Sequence, residues 1–243
     1  MNENFDEFDK YVMQYDMNEK MIEYKYNHSY RVVHQAEEVC RSIDLDNVER
    51  DLASLIALLH DIARFRQWTD YKTFNDLESF DHGDEGAKIL FDEGEIKNYI
   101  CDKEDYEIIK KAVINHNKYI IESGLNDREL MHSKIVRDAD KIDILYAFST
   151  KRLLEVKNDD SIINEEARKQ FFEHKPVDKK YIKSLNDRAI ALFSLVFDLY
   201  YDYSYERIYN EKYIDKIYEG MINKEIFKPF YEETIKFLKK RCK

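Results

Sequence analysis

Residues 52–65 read LASLIALLHDIARF. Their apolar side chains recur at intervals of three and four residues, which is typical of one buried face of a helix: Leu52, Leu55, Ile56 and Leu59. This face runs directly into His60 and Asp61, so an imidazole and a carboxylate enter a place where an apolar core is expected. Because an isolated buried carboxylate is costly without a charged partner, the stretch predicts a buried helix with a polar site at its end.

Three other segments place a polar side chain on an otherwise apolar helical face. His28 shares such a face with Val32, Ala36, Val39 and Cys40; His116 ends the stripe Ile109, Ala112, Val113; and Asp140 follows Val136 and Ala139. Side chains that share a face at this spacing point in one direction. Four separate predicted helices therefore each direct a histidine or a carboxylate toward the core.

The composition favours long helices in one domain. The 243 residues include only 5 Gly and 2 Pro, so the elements should be long and the connections few. A chain of this length can bury one substantial core, and no linker, repeat or low-complexity tract separates its halves. We predict an all-α single domain over residues 1–243, with an N-terminal helix in residues 1–23 and a helical extension in residues 151–243.

Individual helix bounds follow from the same periodicity. We predict an amphipathic helix over residues 5–21, a continuous helix over 52–65, and C-terminal helices over 179–201, 205–221 and 224–240. The polar segment over 66–81 predicts either a long loop or short helical turns. Asp178 is the expected N-cap of the first of these C-terminal helices.

Charge and cysteine content exclude several classes of protein. The formal net charge of -11 opposes general binding to a nucleic-acid backbone, so we expect no stable duplex partner. Cys40, Cys101 and Cys242 are scattered and odd in number, which indicates neither a disulfide framework nor a zinc ribbon and fits a reducing cytoplasm. The acidic start gives no export signal, and no apolar stretch approaches the roughly 20 residues of a membrane span.

The polar residues at the four helix faces are typical ligands of a divalent metal ion. An ion that activates water needs neutral imidazoles and carboxylates from separate rigid elements. The predicted ligands are His28, His60, Asp61 and Asp140, with His82 and His116 for a second ion to which Asp61 could bridge. The sequence leaves open whether the site binds one metal ion or two. Such mixed ligation favours Fe, Mn, Zn, Co or Ni, and Mg stays possible as well.

Five segments, in this order, resemble the successive motifs of HD-domain phosphohydrolases: HSYRV at 28–32, LLHDIARF at 58–65, DHGDEGAKIL at 81–90, INHN at 114–117 and RDADKIDIL at 137–145. The resemblance covers an HD core of about residues 24–150. It implies an all-α helical bundle, a bound divalent metal and hydrolysis of a phosphate ester or anhydride, commonly of a nucleotide. It also matches His28, His60, Asp61 and Asp140 to the core ligands, and His82 and His116 to the extra histidines of the dinuclear branch.

Departures from the family's motifs narrow the choice of branch. Guanosine tetraphosphate hydrolases carry a Glu-Asp pair shortly after the His-Asp pair, and similar deoxynucleotide monophosphatases carry a Glu three residues beyond the Asp, where this chain has Arg64. The Gly-Tyr-Pro tripeptide and doubled histidine of the cyclic-dinucleotide branch are missing, since Asn117 follows His116. The chain is most similar to small stand-alone bacterial HD hydrolases.

We therefore expect a phosphohydrolase that cleaves a small phosphorylated substrate, a nucleotide by preference, with metal-activated water. Asp61 would link or polarise the metals, while Arg64 would present its planar fork to the phosphate and Lys141 is a second candidate donor. The alternatives are an ordinary ion pair for Arg64 and a solvent-facing Lys141. A di-iron HD-type oxygenase and a nucleotide- or metal-binding sensor without turnover are the rival functions, and a homodimer is left open.

The aromatic residues of the predicted loop have two interpretations. Trp68, Tyr71 and Phe74 could stack on a nucleobase, or they could pack against the helical core as aromatics near a core commonly do.

Overall fold

A computed structural model of the chain describes residues 2–99, 103–150, 157 and 159–242. Within these ranges the chain forms helices joined by turns and short 3-10 segments, without any strand. The all-α prediction is confirmed. The helices fall into two compact units, Met1–Asp140 and Lys141–Lys243, and the single-domain organisation stays a prediction.

The first unit contains the helices that lead to the predicted ligands. They are α1 (Asn2–Val12), α2 (Lys20–Ser42), α3 (Asn47–Leu59), α4 (Ala63–Tyr71), α5 (His82–Ala87), α6 (Tyr106–Asn115) and the first part of α7 (Asp127–Thr150). Helices α2 and α3 pack against each other along their length. The apolar stripes seen in the sequence form this core, since Val32, Ala36, Ile56, Leu59 and Ile109 are all fully buried.

The N-terminal helix is shorter than predicted. It ends at Val12, whereas Met13 and Met17 are exposed in the turn that precedes α2. In this turn the Asp16 carboxylate accepts a hydrogen bond from the Asn18 backbone N–H, a local bond that competes with helical hydrogen bonding. The predicted helix over 5–21 is therefore wrong beyond its first half.

The predicted continuous helix over 52–65 is interrupted at His60. Helix α3 ends at Leu59 and α4 begins at Ala63, while tight bonds link the Ile62 N–H to the Leu59 carbonyl and the Arg64 N–H to the Asp61 carbonyl. Because these bonds span three residues rather than four, the backbone is wound more tightly there than in an α-helix. The His-Asp pair thus lies at a junction between two helices.

The segment over 66–81, predicted as a long loop or short helical turns, begins with the end of a helix. Helix α4 continues to Tyr71 because Phe65 and Gln67 are buried on its inner face. It ends where Lys72 adopts a left-handed conformation, with φ 53°, and donates its N–H to the Trp68 carbonyl. The actual connection, residues 72–81, is called the α4–α5 loop below.

The second unit is a helical core rich in aromatic residues. It contains the end of α7, then α8 (Glu165–Phe172), α9 (Leu185–Ser194), α10 (Asp202–Asn210), α11 (Tyr213–Glu219) and α12 (Lys224–Arg241). Fully buried side chains of this core include Phe171, Phe193, Phe227, Phe230 and Leu238.

Two of the three C-terminal helix predictions need correction. Asp178 caps only a 3-10 turn, and α9 starts at Leu185 because Ser184 and Asp187 form a capping box there. The predicted helix over 205–221 is divided between α10 and α11 at Lys212, whose φ of 56° cannot continue a right-handed helix. The helix predicted over 224–240 is present as α12.

Within the described part of the chain, no helix is long and apolar enough to cross a lipid bilayer. Cys40 and Cys242 are free thiols, and Cys101 lies outside the described residues.

Candidate metal centre

The six predicted ligand residues come together in the first unit. His28 lies on α2, His60 and Asp61 at the α3–α4 junction, His82 at the start of α5, His116 directly after α6, and Asp140 on α7. Five of them are buried, and the Asp140 side chain is 16% exposed. One edge of the cluster is therefore open to solvent.

Asp61 divides the cluster into two groups, because each of its carboxylate oxygens faces a different pair of imidazoles. Oδ2 lies 3.4 Å from Nε2 of His28 and 3.5 Å from Nε2 of His60. Oδ1 lies 3.5 Å from Nε2 of His82 and 3.6 Å from Nε2 of His116. We call His28, His60 and Asp61 the first group, and Asp61, His82 and His116 the second group. In each group the ligand atoms lie within 4.8 Å of one another.

Asp140 adjoins the first group. Its Oδ1 lies 3.2 Å from Nε2 of His28 and 3.8 Å from Nε2 of His60. Burial raises the pKa of this carboxyl, but the neighbouring His28 and His60 imidazoles outweigh burial and hold the pKa well below its ordinary value. Asp140 is therefore available as an ionised ligand.

Hydrogen bonds fix the tautomers of three histidines. Their Nδ1 atoms lie beside oxygens that can only accept: 2.6 Å from the Ala57 carbonyl for His60, 2.6 Å from the Val113 carbonyl for His116, and 2.8 Å from the Asp76 carboxylate for His82. Each Nδ1 thus carries the hydrogen of the neutral ring. Each Nε2 is left with a lone pair that points into the cluster.

The second group has two such lone pairs facing each other. Nε2 of His82 lies 3.0 Å from Nε2 of His116, although neither atom has a hydrogen to donate in these tautomers. In the described part of the chain, the buried Nε2 of His60 likewise has no hydrogen-bond partner. Imidazole nitrogens bind zinc at about 2.0–2.1 Å, so two nitrogens in neighbouring coordination positions lie roughly 3 Å apart. The residues present therefore fit divalent metal ions.

Comparison with known families agrees with this geometry. The family model described as HD domain matches residues 26–145, a segment that contains all six ligand residues. The chain belongs to the HD-domain superfamily. HD domains bind divalent metals, and the superfamily consists generally of metal-dependent phosphohydrolases. Neither the curated proteins nor the solved structures gave a significant match to the chain.

Two cations contact the central carboxylate of this HD domain. Lys25 Nζ lies 2.5 Å from Asp61 Oδ2, and Arg64 Nε lies 3.3 Å from Asp61 Oδ1. Burial raises the pKa of the Asp61 carboxyl, but Lys25, together with His60 and Arg64, outweighs burial and holds the pKa well below its usual range. Sequence reasoning missed Lys25, whose position one helical turn before His28 on α2 is the one available signal.

The histidines of the second group are held in their neutral form. Burial lowers the pKa of His82 to about 3, and burial also lowers the pKa of His116. Since a metal ion binds the neutral imidazole, both rings are in the form needed at neutral pH.

Arg64 contacts three further protein groups through one nitrogen, in addition to Asp61. Its Nη1 donates to Gln67 Oε1 at 2.6 Å, to the Phe74 carbonyl at 2.8 Å and to Asp76 Oδ1 at 3.1 Å. These contacts fit the alternative interpretation, in which Arg64 forms an ordinary ion pair within the protein. The phosphate role of Arg64 stays a prediction.

Lys141 also has a carboxylate partner. Its Nζ lies 2.9 Å from Asp198 Oδ2 in the second unit, and the lysine side chain is 8% exposed. The solvent-facing alternative is therefore wrong, because burial and the ion pair hold this ammonium away from bulk water. Binding of phosphate by Lys141 stays a prediction.

The aromatic residues beside the centre pack against cations and each other. The Phe74 ring lies 5.4 Å from Lys25 Nζ and 5.4 Å from Arg64 Cζ, and its centroid is 5.2 Å from that of Trp68. Tyr71 packs edge-on against Phe80 at 5.6 Å and is half exposed. These contacts fit the packing interpretation, and nucleobase stacking stays a prediction.

Proposed function

We propose that this protein is a metal-dependent phosphohydrolase that cleaves a phosphate ester or anhydride of a small substrate, with a nucleotide as the first candidate. The observation that carries the proposal is the position of Asp61, whose two ionised oxygens each face a pair of imidazole Nε2 atoms. One or two divalent ions held there would act as Lewis acids and would lower the pKa of water enough for nucleophilic attack at neutral pH.

The charges around the centre support an anionic substrate. Asp61, Asp140 and Asp76 are carboxylates in contact with the ligand cluster, whereas Lys25 and Arg64 are its cationic neighbours. With neutral histidines this set carries one net negative charge. A single divalent ion reverses its sign, so the loaded centre would attract a phosphate.

The chain's own residues would hold the centre rigid. Backbone carbonyls fix His60 and His116, while Lys25 and Arg64 fix the Asp61 carboxylate. Ligands whose directions are set before binding require little reorganisation when charge develops on a reacting phosphate. In this proposal Arg64 and Lys141 also donate to the phosphate, which requires each to exchange part of its present hydrogen bonding for the substrate.

The same ligand set also fits a di-iron oxygenase, so the test must separate hydrolysis from oxygen chemistry. Protein stripped with a chelator is reloaded with Mn, Fe(II) under anaerobic conditions, Zn, Co, Ni or Mg. Each form is then assayed against nucleoside mono-, di- and triphosphates and p-nitrophenyl phosphate. We expect phosphate release with at least one metal, without uptake of O₂ when air is admitted.

Two variants complete the test. Asp61→Ala should reduce turnover to background because it removes the carboxylate common to both groups, while Asp70→Ala, which removes an exposed carboxylate on α4, should retain wild-type turnover. Oxygen uptake without phosphate release would favour the oxygenase. Tight nucleotide binding without turnover in any metal would favour a sensor.

A further inference from the structure

Asp76 contacts the ring of His82 from the side opposite the metal-binding nitrogen. Its Oδ1 and Oδ2 lie 2.8 and 2.9 Å from His82 Nδ1, and its side chain is 8% exposed. Asp76 lies in the α4–α5 loop, six residues before its partner, and no periodic pattern in the sequence marks it.

The loop holds this carboxylate firmly in place. Gln67, which is fully buried on α4, donates through Nε2 to Asp76 Oδ1 at 3.1 Å, to Ser79 Oγ at 2.7 Å and to the Phe80 carbonyl at 3.2 Å. Arg64 adds a bond of 3.1 Å to the same Asp76 oxygen. The position of Asp76 is therefore fixed from the helix that follows the His-Asp pair.

His82 needs such a partner because of its place in the fold. His60 and His116 follow the ends of helices, where the carbonyl three residues earlier accepts the Nδ1 hydrogen. His82 is the first residue of α5, so no helical turn precedes it to supply that carbonyl. The Asp76 carboxylate occupies the corresponding position at the ring.

We propose that Asp76 is a positioning residue for the second group. It keeps His82 as the Nδ1–H tautomer, with Nε2 directed toward Asp61 and His116, and so makes retention of an ion in this group depend on the α4–α5 loop. The proposal rests on the metal binding of the proposed function. A carboxylate that orients a ligand histidine typically contributes about 10–100-fold in metal affinity.

The test compares Asp76→Asn with Asp81→Asn by metal titration of the stripped protein against a colorimetric chelator. Asp81 is a matched control because it lies in the same loop and caps α5 through the N–H groups of Gly83 and Asp84, which asparagine also does well. We expect Asp76→Asn to weaken one of two ions by about 10–100-fold, with the other unchanged. Asp81→Asn should bind both ions like the wild type.

Nitrogen-15 NMR of the histidines in metal-free protein supplies a second readout. Asp76→Asn should change the tautomer signals of one ring, whereas general loosening would change several. Three results would each overturn the proposal. Asp76→Asn could bind metal like the wild type, or it could bind both ions more weakly to the same extent. The third result is a wild-type protein that binds one ion with an affinity that Asp76→Asn does not change. If Asp76→Asn does not fold, Asp76→Glu is compared with Asp81→Glu by the same criteria. Neither readout uses turnover, so failure of phosphate hydrolysis would leave this result standing.

Discussion

Asp61 is a buried carboxylate whose ionisation depends on its neighbours. Without metal, the ammonium of Lys25 at 2.5 Å and the guanidinium of Arg64 at 3.3 Å supply its counter-charge. A divalent ion bound to the same carboxylate would supply that charge instead. The contribution of Lys25 to stability should therefore depend on whether metal is bound.

Lys25→Met tests this dependence. In metal-free protein the variant should lose about 1.5–3 kcal/mol of unfolding free energy, the usual range for a hydrogen bond to a charged group. In metal-loaded protein the loss of unfolding free energy should be clearly smaller, because the bound ion supplies the positive charge that balances the Asp61 carboxylate. Urea denaturation with and without metal measures both values, and Lys20→Met, at an exposed position of α2, is the control. Equal losses in the two states would show that Lys25 does not share the carboxylate with metal.

Five candidate ligands could be predicted because each shares or ends an apolar helical stripe, where a polar side chain is conspicuous: His28, His60, Asp61, His116 and Asp140. His82 has no such stripe and was predicted from the order of the histidine-bearing segments and from the resemblance to HD domains. Lys25 and Asp76 could not be predicted in the same way. Lys25 stands three residues before His28 in a polar stretch that contains other charged residues, and its role depends on the distance to Asp61. Asp76 lies in a loop whose path depends on the buried Gln67, which tertiary packing alone reveals.

At the scale of elements, helix ends determine where four of the six ligands point. The turn after α3 carries His60 and Asp61, α6 ends immediately before His116, and α5 begins with His82. Helices α5 and α6 must also approach closely for His82 to reach His116. Gly83 permits this approach, because a Cβ there would lie 2.9 Å from the Ile114 carbonyl oxygen and 3.0 Å from that of Val113.

Gly83→Ala should therefore move α5 away from α6 and weaken the second group. Overpacking of this kind typically costs about 1–3 kcal/mol. Gly86→Ala is the matched control: it lies in the same helix and gains roughly 1 kcal/mol of helix propensity. Its Cβ would meet side-chain methyl groups of Val113 at 3.2 Å and Ile62 at 3.6 Å, and the nearest backbone atom, the His60 carbonyl oxygen, lies 3.9 Å away. In thermal denaturation, the melting temperature of Gly83→Ala should be lower than that of Gly86→Ala. Only Gly83→Ala should lose affinity for one ion. Equal stability and metal binding in the two variants would contradict this account of the helix contact.

Helix bounds could be predicted only in part, because apolar periodicity does not reveal local breaks. The periodicity of residues 52–65 continues across the turn at His60, since the residues there keep right-handed helical angles, such as φ -54° at His60. The break at Lys212 needs a left-handed backbone, which no glycine signals at that position. Residues 224–240 carry no such interruption, and the predicted helix is present as α12.

For the whole molecule, the sequence predicted the all-helical class and the HD family, and both are confirmed. The net charge of -11 contrasts with a centre that would become positive on binding a divalent ion. We predict that a small anionic substrate is drawn to this centre, and that the net negative charge of the chain opposes binding of a nucleic-acid duplex. Substrate identity could not be predicted, because no sequence motif selects a base or a sugar.

Anomalous X-ray scattering from crystals loaded with Mn or Zn would test the central claim most directly, since it locates bound ions without reference to turnover. We predict one peak within bonding distance of Asp61 and the Nε2 atoms of His28 and His60, and a second within bonding distance of Asp61 and the Nε2 atoms of His82 and His116. A single peak in the first group would show that the centre binds one ion rather than two. Metal-loaded crystals with no peak at the Asp61 carboxylate would contradict the account.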